Sequence, residues 1–435
     1  MNRINIVFDI KVLIDGLFDN ENRVGVYFVA WNILNFMKKN KHFCITLAYP
    51  LEHKNTASLN ILKKDIFFSC FMFVCSGAGE LKSFLIEKIN KHKKNKKYLK
   101  MIYNYLLLLK SKLKENIYCN KNNFKYSHIY LSTFYAIPHV ILKQKHIKCF
   151  VVLYDTIPLI FPEYFGCNTG YHRMLSMLNK NIYSFCISQS CKDDYLKFLK
   201  DKLDENKMFV TYISTNQDYF PNYDKQELEN ILNKYNIEYN QNVKYLFSLC
   251  SLEPRKNLLF TIECFIKFII KHDIKDLYFY LGGGAWTSFN ATMKETMEKA
   301  GEFKNKIKLL GYVEDSDLNL LYSNSLFFTY LSEYEGFGMP PLEAMQAGTP
   351  VITSNNSSLP EVVGDAAITL TYNDEAAVIK AFEDLYFNEN LRNEYIEKGL
   401  KRAKMFSWDK CVGKMADIMI NKVNNETCGE RHSEY

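Results

Sequence analysis

Glu335 and Glu343 bracket a Gly336-Phe337-Gly338 turn and a Pro340-Pro341 step. Acids on either side of a glycine turn can orient the hydroxyl groups of a ligand. The turn itself lets backbone amides come close, because glycine carries no Cβ. The apolar run at 326–331 reads as a buried strand. Pro341 suits the first helical position, where no amide hydrogen is required. Gly348 and Pro350 end that helix, and Val351-Ile352-Thr353 resumes a strand. In a parallel α/β sheet ligands sit beyond the carboxyl ends of the strands, and free amides at a helix start attract anions. Both glutamates are therefore expected at one pocket with a floor suited to phosphate. A Glu in a first helical turn also serves as a dipole or capping residue, and Glu343 taken alone fits that role equally.

A second constellation lies upstream. Residues 245–250 read as a strand, and Ser251-Leu252-Glu253-Pro254-Arg255-Lys256-Asn257 leads into an amphipathic helix from about 258 to 271. Arg255 and Lys256 sit at the strand-to-helix turn. Paired cations on a surface are usually solvated. At such a turn they can instead hold an anion, at about 1.5–3 kcal/mol for each charge-assisted hydrogen bond. Where a leaving group gains negative charge as its bond breaks, fixed cations favour the transition state over the ground state.

Together these strings resemble the E-x7-E signature and the Arg-Lys-Asn step of retaining glycosyltransferases of family 4. The resemblance implies an α/β GT-B fold: two Rossmann-like domains facing each other across a cleft, with a C-terminal helix returning to the first. It implies that Glu335 binds donor-sugar hydroxyls and Glu343 the ribose. Backbone at Gly336, Phe337 and Gly338 approaches the sugar and diphosphate, which Arg255 and Lys256 hold. Gly283, in the glycine run after a strand at 277–281, is expected to make another close approach. Backbone near Tyr312 and Val313 borders the base. Gly25 is similar to the family's glycine loop after the first strand, where donor phosphates or acceptor come close, although this chain has one glycine there. The string 151–159 is similar to one that commonly shows His-Asp. Here Tyr154 stands in the histidine's place, and Asp155 is either a polar group near the acceptor or a cap of the next element.

The implied reaction moves a hexose-type sugar from a nucleotide-diphosphate sugar, of GDP-mannose or UDP-sugar type, to a glycan or lipid-linked acceptor. Anomeric configuration is retained. No metal and no cofactor are expected, the nucleotide sugar being a co-substrate. Bacterial surface polysaccharide synthesis is the setting that the resemblance suggests. Other enzymes of this fold, a phosphorylase or a nucleotide-sugar epimerase, are alternatives, as is a non-catalytic scaffold at the membrane. A glycosidase pair of acids is rejected, because the cations and glycine loops suit a charged leaving group. Replacing Glu335 or Lys256 is expected to cut turnover at least about tenfold with the melting temperature nearly unchanged.

The remaining elements must position these groups. At 435 residues the chain is long enough for two α/β domains. Hydrophobic residues make up 48% and charged residues 24%, which excludes a disordered chain. The boundaries are expected at 1–221 for the first domain, 222–243 for a linker, 244–404 for the nucleotide-sugar domain, 405–423 for the returning helix and 424–435 for a loose tail. In the first domain Ser190 with Asp193 reads as a capped helix start. The string 357–365 reads as support for the fold. Twelve cysteines are scattered without metal-type spacing, consistent with a reducing compartment. The first strand follows directly from the start, so no signal peptide is read, and no uncharged apolar stretch reaches membrane-spanning length. A cytoplasmic protein is expected. Within a basic insertion at about 82–125, residues 82–114 hold eleven lysines and one acidic residue. They form either a solvated insertion or a surface resting on anionic lipid at the inner face of the membrane. No nucleic-acid reader motif accompanies them.

Overall fold

The computed structural model describes residues 3–13, 25–48, 72–74, 124–165, 169–215, 219–238, 244–251, 253–284, 297–298 and 300–429. The basic stretch 82–114, Arg23 and the tail beyond 429 lie outside the described residues.

The first sheet is built from β1 (Ile4–Asp9), β2 (Phe43–Ala48), β3 (Met72–Val74), β4 (Ile129–Ser132), β5 (Lys148–Leu153), β6 (Tyr183–Cys186) and β7 (Met208–Val210). Its order is β3-β2-β1-β4-β5-β6-β7. The second sheet holds β8 (Lys244–Leu249), β9 (Leu277–Gly282), β10 (Ile307–Gly311), β11 (Phe327–Tyr330), β12 (Val351–Ser354) and β13 (Ile368–Leu370), in the order β10-β9-β8-β11-β12-β13. All pairs are parallel. Strands covered on both faces read as unbroken apolar runs, and β4, β11 and β12 are buried throughout.

In each sheet the order reverses beside the first strand. β1 lies between β2 and β4, and β8 lies between β9 and β11. Ligands of open α/β sheets bind at such a reversal, beyond the carboxyl ends of the strands. Phe327 and Phe328 of β11 pair with Leu246 and Phe247 of β8. The turn after β8 carries Arg255 and Lys256, and the loop after β11 carries Glu335. Pairing of these two strands therefore brings the two distant motifs to one place.

Helices form where the pattern is amphipathic. Leu258–Lys271 is a helix with the ends read from the sequence, and Lys225–Lys234 is a helix within the stretch expected as a linker. The helix after the glycine turn is Met339–Gln346, two residues earlier than Pro341. Both prolines fall in its first turn, where their missing amides would have had no partner. The helix Gln189–Leu199 is capped by Ser188, whose Oγ accepts from the Cys191 amide at 3.0 Å, and not by Ser190. Ser188 leaves β6 in an extended conformation, as a cap must, one turn before Cys191. The last helix, Trp408–Gly429, runs past residue 423. Polar residues propagate an existing helix at small cost, and no Gly or Pro interrupts 424–428.

That last helix packs against Gly25–Met37 of the first half. Trp408 Nε1 donates to the Thr215 carbonyl at 2.7 Å, and Thr215 Oγ1 bonds Gln346 at 2.8 Å. Glu361 reaches across to the first half, where its carboxylate accepts the amides of Gln189 at 2.7 Å and Ser190 at 2.9 Å. The two sheets are thus tied together around their facing ends. Among the described residues no helix is long and apolar enough to cross a membrane.

Candidate active site

Arg255 and Lys256 form a short 3-10 turn, Pro254–Lys256, directly after β8. Asn257 follows in the left-handed region, at φ 54°, and redirects the chain into the next helix. Asn tolerates that conformation better than most side chains. Arg255 Nη1 lies 3.0 Å from Glu335 Oε1 and also donates to the Tyr334 carbonyl. Its Nη2 lies 3.3 Å from Glu253 Oε2. Lys256 Nζ is 2.6 Å from the same Glu335 Oε1 and 2.8 Å from Tyr330 Oη. Tyr330 in turn donates to Glu335 Oε1 at 2.9 Å. Burial opposes the charge on Glu335, but Lys256 and Arg255 outweigh it and hold the carboxyl at about 2. Burial likewise opposes the charge on Arg255, and Glu335 and Glu253 reverse the balance and raise its pKa. Arg255 Nε is buried without a hydrogen-bond partner. A buried donor of that kind is costly unless an acceptor joins it.

The two loops are also joined through their backbones. The Glu333 amide donates to the Arg255 carbonyl at 2.8 Å. The Glu335 amide donates to Ser357 Oγ at 3.0 Å, and Ser358 Oγ lies 2.8 Å from the carbonyls of Glu335 and Phe337. The serines read as fold support thus hold the glutamate loop directly.

Across the cleft, Asp155 follows β5. Its Oδ1 accepts the Ile157 amide at 3.0 Å, so it does act on the next element. It also faces the ionic cluster. Burial raises its pKa most, while the Ile157 amide, Arg255 and Lys256 pull the other way and Glu335 adds to the rise. A Cβ on Gly336 would sit 2.8 Å from Asp155 Cβ, so only glycine allows this approach. Ser188 Oγ donates to the Gly336 carbonyl at 2.7 Å. Gly25, the first residue of its helix, lies opposite the other helix start, where its Cβ would come 3.3 Å from Met339 Cε. Tyr154 turns its ring edge-on to Phe134 at 5.9 Å, and its buried hydroxyl has no hydrogen-bond partner.

Residues 230–402 match the family model described as glycosyl transferases group 1. The O-antigen chain mannosyltransferase B of Escherichia coli is 32% identical over 207 residues, covering 48% of this chain and 52% of that protein. A serotype-specific mannosyltransferase of Escherichia coli, WbdA, is 25% identical over 266 residues, 60% of this chain and 32% of its own. The chain thus spans about half of the first relative and about a third of the second. The family match falls within the second half of the chain, which carries the second sheet. Among solved structures, the sucrose-phosphate synthase of Thermosynechococcus elongatus superposes with a TM-score of 0.66 at 14% identity, covering 97% of this chain and 100% of that one. The fold is GT-B.

Within the second domain, Glu343 stands apart from the ionic cluster. It is buried and accepts from Tyr322 Oη at 2.9 Å. Burial pushes its carboxyl up to about 7, Asp315 adds to this, and hydrogen bonds from Tyr322 and Tyr219 oppose it. Phe337 is buried with its ring edge-on to Phe406 at 5.8 Å, so only its backbone can serve a ligand. Gly338 adopts φ +112° as the residue before the helix, and a Cβ there would meet Leu359 at 2.8 Å. Gly283, at φ +135°, makes its close approach to the protein itself. A Cβ would fall 1.7 Å from the Cys250 carbonyl oxygen, and its amide already donates to Gly311 at 2.7 Å. Tyr312 is 74% exposed, whereas Val313 is buried against Gly282. Among the described residues no group of three or more His, Cys, Asp or Glu is placed to hold a metal ion.

Several residues of this site carry no legible motif. Tyr330 closes an apolar strand and reads as core. Glu253 and Ser188 look like turn residues. Tyr330 bonds Lys256, 74 positions away, and Ser188 bonds Gly336, 148 positions away, and only the fold brings these partners together.

Proposed function

We propose that the chain is a retaining, metal-independent glycosyltransferase that moves a hexose, mannose in the first instance, from a nucleotide-diphosphate sugar to a glycan or lipid-linked acceptor in surface polysaccharide synthesis. One observation carries the reading: a buried carboxylate and two cations meet at the reversal point of the second sheet, facing Asp155 across the cleft. The mannosyltransferase names of its relatives support the choice of sugar.

In this reading Arg255 and Lys256 bind the diphosphate, Arg255 Nε gains its acceptor, Glu335 orients the sugar and Glu343 the ribose. The bond from the anomeric carbon to the phosphate oxygen breaks, and its electron pair leaves on the phosphate. The acceptor oxygen bonds the anomeric carbon from the same face, and its proton passes to the departing phosphate. The two cations stabilise the charge that grows there. Asp155 orients the acceptor. The lysine-rich sequence at 82–114 attracts an anionic membrane through its charge.

The test is release of GDP from GDP-mannose by the purified protein, with and without a lipid-linked glycan acceptor and in excess EDTA. Release that needs acceptor, survives EDTA and falls at least about tenfold in Lys256→Ala is expected. Release without acceptor, or an unaffected variant, overturns the assignment.

A further inference from the structure

We infer that Tyr330 is a positioning residue, holding Glu335 on the donor sugar when the diphosphate draws Lys256 away. The inference rests on the nucleotide-sugar reading above. Tyr330 is the last residue of β11 and is 4% exposed. Its carbonyl accepts from Thr353 Oγ1 at 2.8 Å, and its ring stacks on Phe328 at 6.1 Å, so the ring has little freedom. The hydroxyl lies between the two functional groups, 2.8 Å from Lys256 Nζ and 2.9 Å from Glu335 Oε1.

The direction of these bonds follows from chemistry. An ammonium only donates, so the phenol oxygen must accept from Lys256 and give its single proton to Glu335. Burial and the neighbouring Glu335 raise the phenol's pKa, which keeps that proton in place. Arg255, Lys256 and Tyr330 all converge on one carboxylate oxygen, Oε1. A diphosphate carries more charge than Glu335 and competes for both cations. The phenol is neutral and held by its strand, so it stays. It is then the donor that preserves the carboxylate's orientation toward the sugar, and Lys256 moves without carrying Glu335 along.

Titration calorimetry with GDP and with GDP-mannose tests this on the full chain, in wild type, Tyr330→Phe, Glu335→Gln and the double variant. Tyr330→Phe should keep GDP affinity within about twofold and weaken GDP-mannose about tenfold, since sugar orientation alone is lost. Added to Glu335→Gln it should cost nothing further, because the phenol acts through that carboxylate. Equal weakening of both ligands, or additive losses in the double variant, overturns the inference. If Tyr330→Phe fails to fold, Tyr330→Met is read in its place by the same criteria. Wild type that binds neither ligand fails the parent reading. Wild type that binds both, with Tyr330→Phe unchanged, fails this one alone.

Discussion

Glu335→Gln removes one negative charge from between two buried cations while keeping size and shape. Lys256 and Arg255 prevail over burial and hold the Glu335 carboxyl at about 2, against 4.5 for an unperturbed Glu. One pKa unit corresponds to about 1.4 kcal/mol, so the charged form gains on the order of 3 kcal/mol over the neutral one. The carboxylate side chain is only 10% exposed, so screening by solvent removes little of this. A depressed carboxyl pKa gives stability that is complete above the unfolded value and is lost as pH falls toward the folded one. The variant should therefore be less stable than wild type at pH 7 by up to about 3 kcal/mol. That gap should close as pH falls from 4.5 toward 2. Urea unfolding followed by tryptophan fluorescence at pH 7 and near pH 3 reads both effects, taking the transition that reports the second domain. Equal midpoints at pH 7, or a gap independent of pH, would refute the argument. Seen as sequence, Glu335 looked like a ligand group that could be removed with the melting temperature nearly unchanged. The ion cluster revises that expectation, because removal strands two buried cations, a change that costs stability even if activity is ignored.

Gly336→Ala should cost about 1–3 kcal/mol and lower turnover, because its Cβ would lie 2.8 Å from Asp155 Cβ and force the loops apart. Thermal unfolding and initial rates check it, and a variant as stable and active as wild type removes the claim of close approach. Glu343 has the opposite sign to Glu335. Its carboxyl is raised to about 7, so its contribution to stability declines as pH rises from 4.5 through 7, by up to about 3 kcal/mol. In the ribose-binding role proposed for Glu343 the charged form is the better acceptor, so GDP-mannose affinity should rise up to about tenfold between pH 6 and 8 and become flat in Glu343→Gln. Calorimetry across that range decides it.

Much of the second domain was legible in the residues themselves. Apolar runs announced β8, β9, β11 and β12, and the amphipathic helix Leu258–Lys271 was read to its ends. Glycine turns and prolines marked where the chain must bend, because those residues act through their own backbone. Cap identity was harder. Ser190 and Ser188 offer the same hydroxyl, and the choice depends on where β6 releases the chain. Ser190 gives its amide to Glu361 instead, a partner 171 positions away. Gly283 is expected from sequence to make a close approach, and the structure sets it against Cys250 and Gly311, since a glycine's need for space does not say what fills it.

Local chemistry therefore decided the inventory: acids, cations, glycines and the strands that end beside them. Tertiary structure decided the partnerships. Parallel pairing of β8 with β11 brings Lys256 to 2.6 Å from Glu335, and the meeting of the two domains sets Asp155 against Gly336. Electrostatic character followed from those distances and from burial, which is why two glutamates in one short motif come out with pKa values near 2 and near 7. A residue's type sets what it can donate, accept or carry. Its charge state and its partner depend on neighbours that the chain supplies only when folded.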